Sequence, residues 1–275
     1  MLGVSYWIFP IVSSLCWLGM LLGLLIHWTS TGKPHYPSMA YDQSIAYISD
    51  VGAEDLKPLF IAGACVTTVF LDLSFASEIW LRHRGRLVRN VTRTEKVLAG
   101  LSIVFALAGT AGLILLSIFD TLRHPNLHDG FLLLFIVGYV VSAVFICWEY
   151  QRLGIKNRQH RVLRTSFWLK LTFILVEVAL AIAFATCNFV DRKNVAAVLE
   201  WAIAFIFTFY VFSFFVDLLP AVKTKSKAAR FGTGAAETEL QLEENDGAAS
   251  ERTVGRNYQK TTSGGKSPGG LSGNF

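Results

Sequence analysis

The sequence predicts an all-α integral membrane protein, a bundle of six transmembrane helices. The first observation is composition: the chain of 275 residues is 53% hydrophobic and only 16% charged, whereas about 25% of the residues in a soluble domain are charged. The second is distribution, since the mean hydropathy is +0.46 and the apolar residues form long blocks. A water-soluble protein of this size could not bury so much apolar surface. The third observation is the charge distribution: lysine and arginine cluster in every second loop between the apolar blocks, as they do in multi-span membrane proteins.

Each transmembrane helix is predicted from an apolar block of about 20 residues, the length that crosses the hydrocarbon core. A bilayer offers the backbone no hydrogen bonds, so each block must satisfy its own by forming a helix. The six blocks are residues 5–28, 59–81, 97–119, 130–150, 166–189 and 195–219. Together they predict a six-span membrane domain over residues 1–220.

The orientation of the spans is predicted from lysine and arginine. Six basic residues lie in 82–96 and five in 152–164, whereas 29–58 holds two, 120–129 holds one and 190–194 holds two. Cytosolic loops are richer in lysine and arginine than the loops on the opposite side. We therefore expect both termini in the cytosol and the three poorly basic loops on the outer or luminal side.

Residues 221–275 form a tail of different character, with a basic start, an acidic stretch and a Gly/Ser-rich end. It has too little apolar surface to offset the entropy lost on ordering, so it is predicted to be a disordered cytosolic tail. Its basic start holds the predicted lipid-headgroup residues Lys223, Lys225, Lys227 and Arg230. These four residues are expected to bind anionic lipid of the inner leaflet.

Several function classes are disfavoured by the sequence. The net charge is +5, but the basic residues lie beside membrane spans, so lipid headgroups rather than nucleic acid are the expected partner. The four cysteines lie inside apolar runs, which indicates no disulfide framework. Phosphate-cradling glycine loops, GxSxG and dinucleotide fingerprints are absent from the sequence, so no cofactor and no catalytic residue is predicted.

Two carboxylates lie deep in the spans and are the predicted intramembrane polar residues. Asp72 in the second span and Glu177 in the fifth lie at comparable depth, and ionisable groups there are functional candidates. If the two helices adjoin, the carboxylates form one buried polar site. In the alternative, each bonds to a neighbouring helix and only fixes packing.

Other acidic residues of the spans are interpreted as anchors near the interfaces. Glu78 lies four residues before Arg82, the spacing of a helical ion pair. Glu200 is expected to reach Lys193 at the outer end of the sixth span. Asp217 is expected to meet the basic cytosolic rim.

The second outer loop holds Asp120, His124 and His128, spaced by four. On a continuous helix they would share one face, as histidine and carboxylate ligands of a metal do. Pro125 interrupts that geometry unless it begins the fourth span. Hydrogen bonding to headgroups or to the first outer loop is favoured, and no metal site is predicted.

The first outer loop and its flanks resemble a known family. Ile48-Ser49-Asp50-Val51-Gly52 is followed by Pro58 at the head of the second span, and Arg82-His83-Arg84 ends that span. With the loop from Phe119-Asp120 to His128-Asp129, these segments resemble the FRAG/DRAM/SFK family, whose domain also forms the N-terminal part of the CWH cell-wall biogenesis proteins. The resemblance covers about residues 5–220 and is greatest to the SFK type.

This resemblance implies a six-span regulator rather than an enzyme. SFK-type members are plasma-membrane proteins that help a phosphatidylinositol kinase complex and influence lipid asymmetry and sterol retention. Other branches occupy Golgi or lysosomal membranes and act in GPI-anchor lipid remodelling or autophagy. Ser49, Asp50, Asp120 and His128 match the outer-face polar positions of the family.

Three functional hypotheses follow. The leading one is a non-enzymatic regulator of lipid homeostasis at the plasma membrane, with anionic lipid, sterol and a phosphatidylinositol kinase complex as partners. The second is a membrane-embedded lipid-remodelling enzyme that uses Asp120, His124 and His128, with Asp50 nearby. The third is a transporter working through Asp72 and Glu177, which the lack of an internal repeat makes the least favoured.

Overall fold

The computed structural model describes residues 6–156 and 161–223, and the side chains of residues 161, 162 and 223 are not described. Within these ranges the chain is helical and has no β-strand. The helices are α1 (Ile8–Ser30), α2 (Ile48–Val51), α3 (Lys57–His83), α4 (Arg93–Ile118), α5 (Pro125–Lys156), α6 (Arg161–Phe189), α7 (Lys193–Leu218) and α8 (Pro220–Lys223). Six of them, α1 and α3 to α7, are long and apolar enough to cross a membrane. The predicted fold class is confirmed.

The six long helices match the predicted spans in number and order, but most of them extend beyond the apolar blocks. The largest difference is α5, which covers Pro125–Lys156 where the sequence predicts 130–150. Hydropathy marks only the apolar middle of a helix, whereas polar end turns also keep helical geometry. Pro125 is the first residue of α5, a position where the missing N–H has no structural consequence.

The long helices form a closed ring. Each of α3 to α7 packs against the next helix along the chain, α1 packs against α3, and α7 returns to α1. The tightest approach is between α4 and α5, where a Cβ on Gly138 would lie 2.5 Å from the backbone nitrogen of Gly109. A Cβ on Gly112 would lie 2.5 Å from the backbone nitrogen of Phe135. Small residues therefore set this helix contact, as in other membrane bundles.

Hydrogen bonds between helices reinforce this packing. The Ser13 hydroxyl donates to the Thr67 carbonyl at 2.7 Å, which joins α1 to α3. The Trp17 indole donates to the Ala204 carbonyl at 2.9 Å, which joins α1 to α7. Such bonds contribute roughly 0.6 kcal/mol each on average in membrane proteins.

The first outer loop, residues 31–56, covers one end of the bundle, here named the loop end. The opposite end, where α3 ends and α4 begins, is named the basic end. The Trp201 indole donates to the Ala46 carbonyl at 2.9 Å, and Asn194 Oδ1 accepts the backbone N–H of Ser44 at 2.7 Å. The loop is therefore attached to the start of α7. That the basic end faces the cytosol stays a prediction from loop charge.

Candidate functional site

An apolar cavity of about 120 Å³ lies inside the ring, in the half nearer the loop end. Three lining residues show that it lies near the loop end: Ile48 of α2, Leu116 near the end of α4 and Phe184 near the end of α6. Aromatic side chains form much of the wall, among them Trp17, Phe135, Tyr139, Phe173, Phe207 and Tyr210. Concave, mainly apolar cavities with a few polar groups are typical small-molecule sites.

One side of the cavity is less enclosed than the rest. The lining residues on the inner side, such as Tyr139 and Phe207, are buried. The lining residues Ile136 and Val140 on α5 and Ala181 on α6 are only half-buried. The cavity therefore extends towards the lipid-facing surface between α5 and α6.

Two carboxyl groups line this otherwise apolar cavity. Glu200 Oε2 accepts the backbone N–H of Ile48 at 2.8 Å, which places Glu200 beneath the loop rather than beside Lys193. Lys193 instead lies 3.5 Å from Asp191, so the predicted Glu200–Lys193 pair is wrong. Glu177 Oε1 is buried and has no hydrogen-bond partner within residues 6–156 and 161–223.

Asp72 and Glu177 do not form the joint site that their depth suggested, because they face different parts of the ring. The Thr110 hydroxyl on α4 donates to Asp72 Oδ2 at 3.0 Å and is 2.8 Å from the Tyr139 hydroxyl. Tyr139 lines the cavity, whereas Asp72 does not. Asp72 is thus connected to the cavity wall through two hydroxyl groups, while Glu177 belongs to the wall itself.

A buried polar network occupies the basic end. The predicted Glu78–Arg82 pair is present at 2.7 Å with both side chains almost fully buried. Arg82 is also 3.6 Å from Glu149 on α5, and the Tyr150 hydroxyl donates to Glu78 at 2.5 Å. Sequence spacing reveals the pair within α3 but not Glu149 and Tyr150, because their partners lie on another helix.

A second buried ion pair joins α6 to α7. The Lys170 ammonium donates to Asp217, and each side chain is 1% exposed. The same ammonium lies 4.1 Å from the centre of the Phe214 ring and 5.0 Å from that of Tyr150. The interpretation of Asp217 as an anchor at the basic rim is therefore wrong, since its partner is a lysine inside the bundle.

The side chains of the three predicted outer-face residues Asp120, His124 and His128 contact different partners. Asp120 pairs with Lys57 at 2.5 Å and with Arg123 at 2.8 Å. His128 Nδ1 lies 3.0 Å from the Leu116 carbonyl oxygen, an intrachain hydrogen bond. The ring of His124 packs edge-on against Phe119. Because Pro125 begins α5, the three residues do not share one continuous helix, and no metal-binding cluster occurs among the residues that the structure describes.

Electrostatics at Asp120 follow from these contacts. Burial alone would raise the pKa of Asp120, but the hydrogen bonds from Lys57 and Arg123 outweigh it and hold the pKa well below the ordinary value of 3.8. Asp120 thus forms an ion pair that joins the second outer loop to the start of α3, because Lys57 is the first residue of that helix.

Of the other two predicted outer-face residues, Asp50 organises the first loop through its hydrogen bonds. Asp50 accepts hydrogen bonds from the Ser38 hydroxyl at 2.6 Å and from the backbone N–H of Tyr47 at 2.9 Å. The second bond caps the start of α2. Ser49 is half-buried. Of the four predicted headgroup residues, Lys223 ends α8 with its side chain undescribed, and Lys225, Lys227 and Arg230 lie outside the described residues.

Comparison with known proteins agrees with this architecture. The family model described as the Frag1/DRAM/Sfk1/Cwh43P N-terminal domain matches residues 5–221. Protein sfk1 of Schizosaccharomyces pombe is 32% identical over 227 residues, which cover 82% of this chain and 68% of that protein. Protein SFK1 of Saccharomyces cerevisiae is 25% identical over 73% of this chain and 75% of its own length. No solved structure matches significantly.

The family model covers all six long helices together with the loop-end cavity. The resemblance inferred from the outer-loop sequence is therefore confirmed. This multi-pass membrane protein of the Sfk1 type belongs to the Frag1/DRAM/Sfk1/Cwh43P N-terminal domain family.

Proposed function

We propose that the protein is a non-enzymatic regulator of lipid homeostasis at the plasma membrane, which supports phosphoinositide kinase action and lipid asymmetry by holding lipid in the loop-end cavity. The observation that most supports this proposal is the position of that cavity. It is apolar, lies within the depth of the long helices and extends between α5 and α6 to the lipid-facing surface. Part of a lipid molecule can enter such a site from the bilayer without crossing water.

The contacts of the outer-face residues support a regulator over the alternative GPI-anchor lipid-remodelling enzyme. A hydrolase needs a base or nucleophile that is within reach of substrate and is oriented by a neighbouring group. Asp120 is occupied by two cations, and Asp50 is occupied by a hydroxyl and a backbone N–H. His128 Nδ1 is used within the chain.

The proposed partners at the cytosolic side are anionic lipid and a phosphatidylinositol kinase complex. The family to which the chain belongs supports this part of the proposal through the SFK-type resemblance. The basic loops and the basic start of the tail are the surfaces expected to contact anionic headgroups, at about 1 kcal/mol per lysine or arginine near the membrane.

Filling the cavity tests this function in cells. Ala181 lines the mouth of the cavity, whereas Ala179 on the same helix is exposed on the outside. In cells that lack the endogenous protein, we expect Ala179→Leu to restore plasma-membrane phosphatidylinositol phosphate, measured with a fluorescent headgroup sensor, and Ala181→Leu at equal abundance to fail. If cells that lack the protein have normal phosphoinositide levels but altered GPI-anchor lipids, this result would instead support the remodelling enzyme.

A further inference from the structure

We propose that the cavity binds the ammonium headgroup of a single-chain lipid amine, and that the Glu177 carboxyl is its partner. This inference builds on the proposed function, in which the cavity holds lipid, and assigns the chemical class of that lipid.

The first argument is that Glu177 has a buried carboxyl oxygen, Oε1, without a hydrogen-bond partner in the described part of the chain. Glu177 belongs to the cavity wall. A carboxyl group in the hydrocarbon region is costly unless it is paired. The nearest lysine on the same helix is Lys170, seven residues earlier, and its ammonium is already bonded to Asp217. A ligand that brings a cation and N–H donors would satisfy Glu177.

The second argument is the wall around Glu177. Eight aromatic side chains line the cavity, with ring centres 5.6 Å apart for Tyr139 and Phe207 and 6.2 Å apart for Phe135 and Phe207. Aromatic faces attract ammonium groups, more strongly where water is excluded. The same wall, together with the Glu177 and Glu200 carboxyls, disfavours a phosphate headgroup.

The third argument is size. An apolar cavity of about 150 Å³ holds a benzene-sized ligand, and this one has about 120 Å³. It therefore accepts an ammonium group with a few attached carbons, but not a glycerol backbone with two ester-linked chains. The rest of a single chain can leave between α5 and α6, where Ile136 and Ala181 are only half-buried, and lie in the bilayer.

A pair of matched lipid probes tests the assignment. The full chain is purified into nanodiscs of phosphatidylcholine and exposed to octadecylamine or octadecanol, each bearing the same photoreactive diazirine and alkyne. We expect the amine to label wild type about tenfold more than the alcohol, because a charge-assisted hydrogen bond is roughly twice as strong as a neutral one and the alcohol supplies no charge. Labelled peptides should come from α5 and α6.

Variants identify the partner group. Glu177→Gln keeps the shape but removes the charge, and it should abolish the preference for the amine. Glu54→Gln is the matched control, since Glu54 lies in the first outer loop and does not line the cavity; it should label as wild type does. Comparing amine and alcohol on wild type does not depend on whether Glu177→Gln folds.

The remaining outcomes separate this inference from the proposed function. Equal labelling by amine and alcohol, both lost in Ala181→Leu, would overturn the amine assignment and leave a lipid-holding cavity. Labelling that Ala181→Leu does not change would place the probes elsewhere and overturn both. An amine preference that survives Glu177→Gln would overturn the role of Glu177.

Discussion

Lys170 on α6 donates its ammonium hydrogen to Asp217 on α7, and both side chains are sealed inside the bundle at 1% exposure. This buried pair is a direct polar link between α6 and α7, the two helices that also form one side of the loop-end cavity. It therefore fixes how α6 packs against α7. The cavity depends on that packing, because α6 supplies Glu177 and Ala181.

Removing one member of this pair should be more harmful than removing both. Lys170→Met leaves a buried carboxylate without its cation, which costs about 3–5 kcal/mol, whereas an apolar replacement of both partners is often neutral. We expect the melting temperature of detergent-solubilised protein to fall strongly in Lys170→Met and to recover in Lys170→Met with Asp217→Leu. An equally low melting temperature in the double variant would contradict this account.

Asp72 should act through its hydrogen bond rather than its charge. Asp72 Oδ2 accepts from the Thr110 hydroxyl at 3.0 Å, and an asparagine oxygen can accept the same bond. We expect Asp72→Asn to keep wild-type abundance and stability. Asp72→Leu should lose up to about 1.7 kcal/mol, the upper range for such bonds between membrane helices. Both are measured by melting of the purified variants. If Asp72→Asn is destabilised while Asp72→Leu is as stable as wild type, the hydrogen-bond interpretation is wrong.

The Asp120 ion pairs should give the protein a dependence on acid. Its pKa is held below 3.8 in the folded protein, so its stabilisation is fully present above the unfolded value and is lost progressively as the pH falls below about 4. At pH 7 we expect Asp120→Asn to cost about 1–2 kcal/mol, because Lys57 and Arg123 are partly exposed. Melting scans of both proteins between pH 7 and pH 3 test this. The difference in melting temperature between wild type and Asp120→Asn should become smaller as the pH falls towards 3. A difference that grows at low pH would contradict this account of Asp120.

The basic start of the tail should bind anionic membranes. Lys223, Lys225, Lys227 and Arg230 follow the last span closely in the sequence, so we expect their charges to act within a Debye length of the headgroups. A peptide of residues 221–234 should bind vesicles containing phosphatidylserine and lose binding as salt rises. Phosphate at Ser226 adds about two negative charges and should weaken binding. Equal binding to neutral vesicles would show that charge is not the cause.

The sequence predicts the bundle well and the polar contacts poorly, for one physical reason. Hydropathy and loop charge are local, so the number and order of spans could be predicted. The Glu78–Arg82 pair could be predicted too, because both residues lie on one helix. Asp217 and Glu200 were misassigned since their partners, Lys170 and Ile48, lie on other elements.

For the same reason, only part of the candidate site could be predicted from the sequence. Depth alone identified Asp72 and Glu177, but depth does not show which way a helix faces. Neighbours in the ring decide that, and they direct Asp72 towards Thr110 and Glu177 towards the cavity. The aromatic wall comes from several helices and has no linear motif.

The most direct test of the central claim, that the loop-end cavity holds a lipid, is native mass spectrometry of the protein purified from its own membrane in mild detergent. Wild type and Ala179→Leu should retain a bound single-chain lipid, and Ala181→Leu, which fills the mouth of the cavity, should lose it. Equal lipid retention by all three proteins, or none in wild type, would contradict the account.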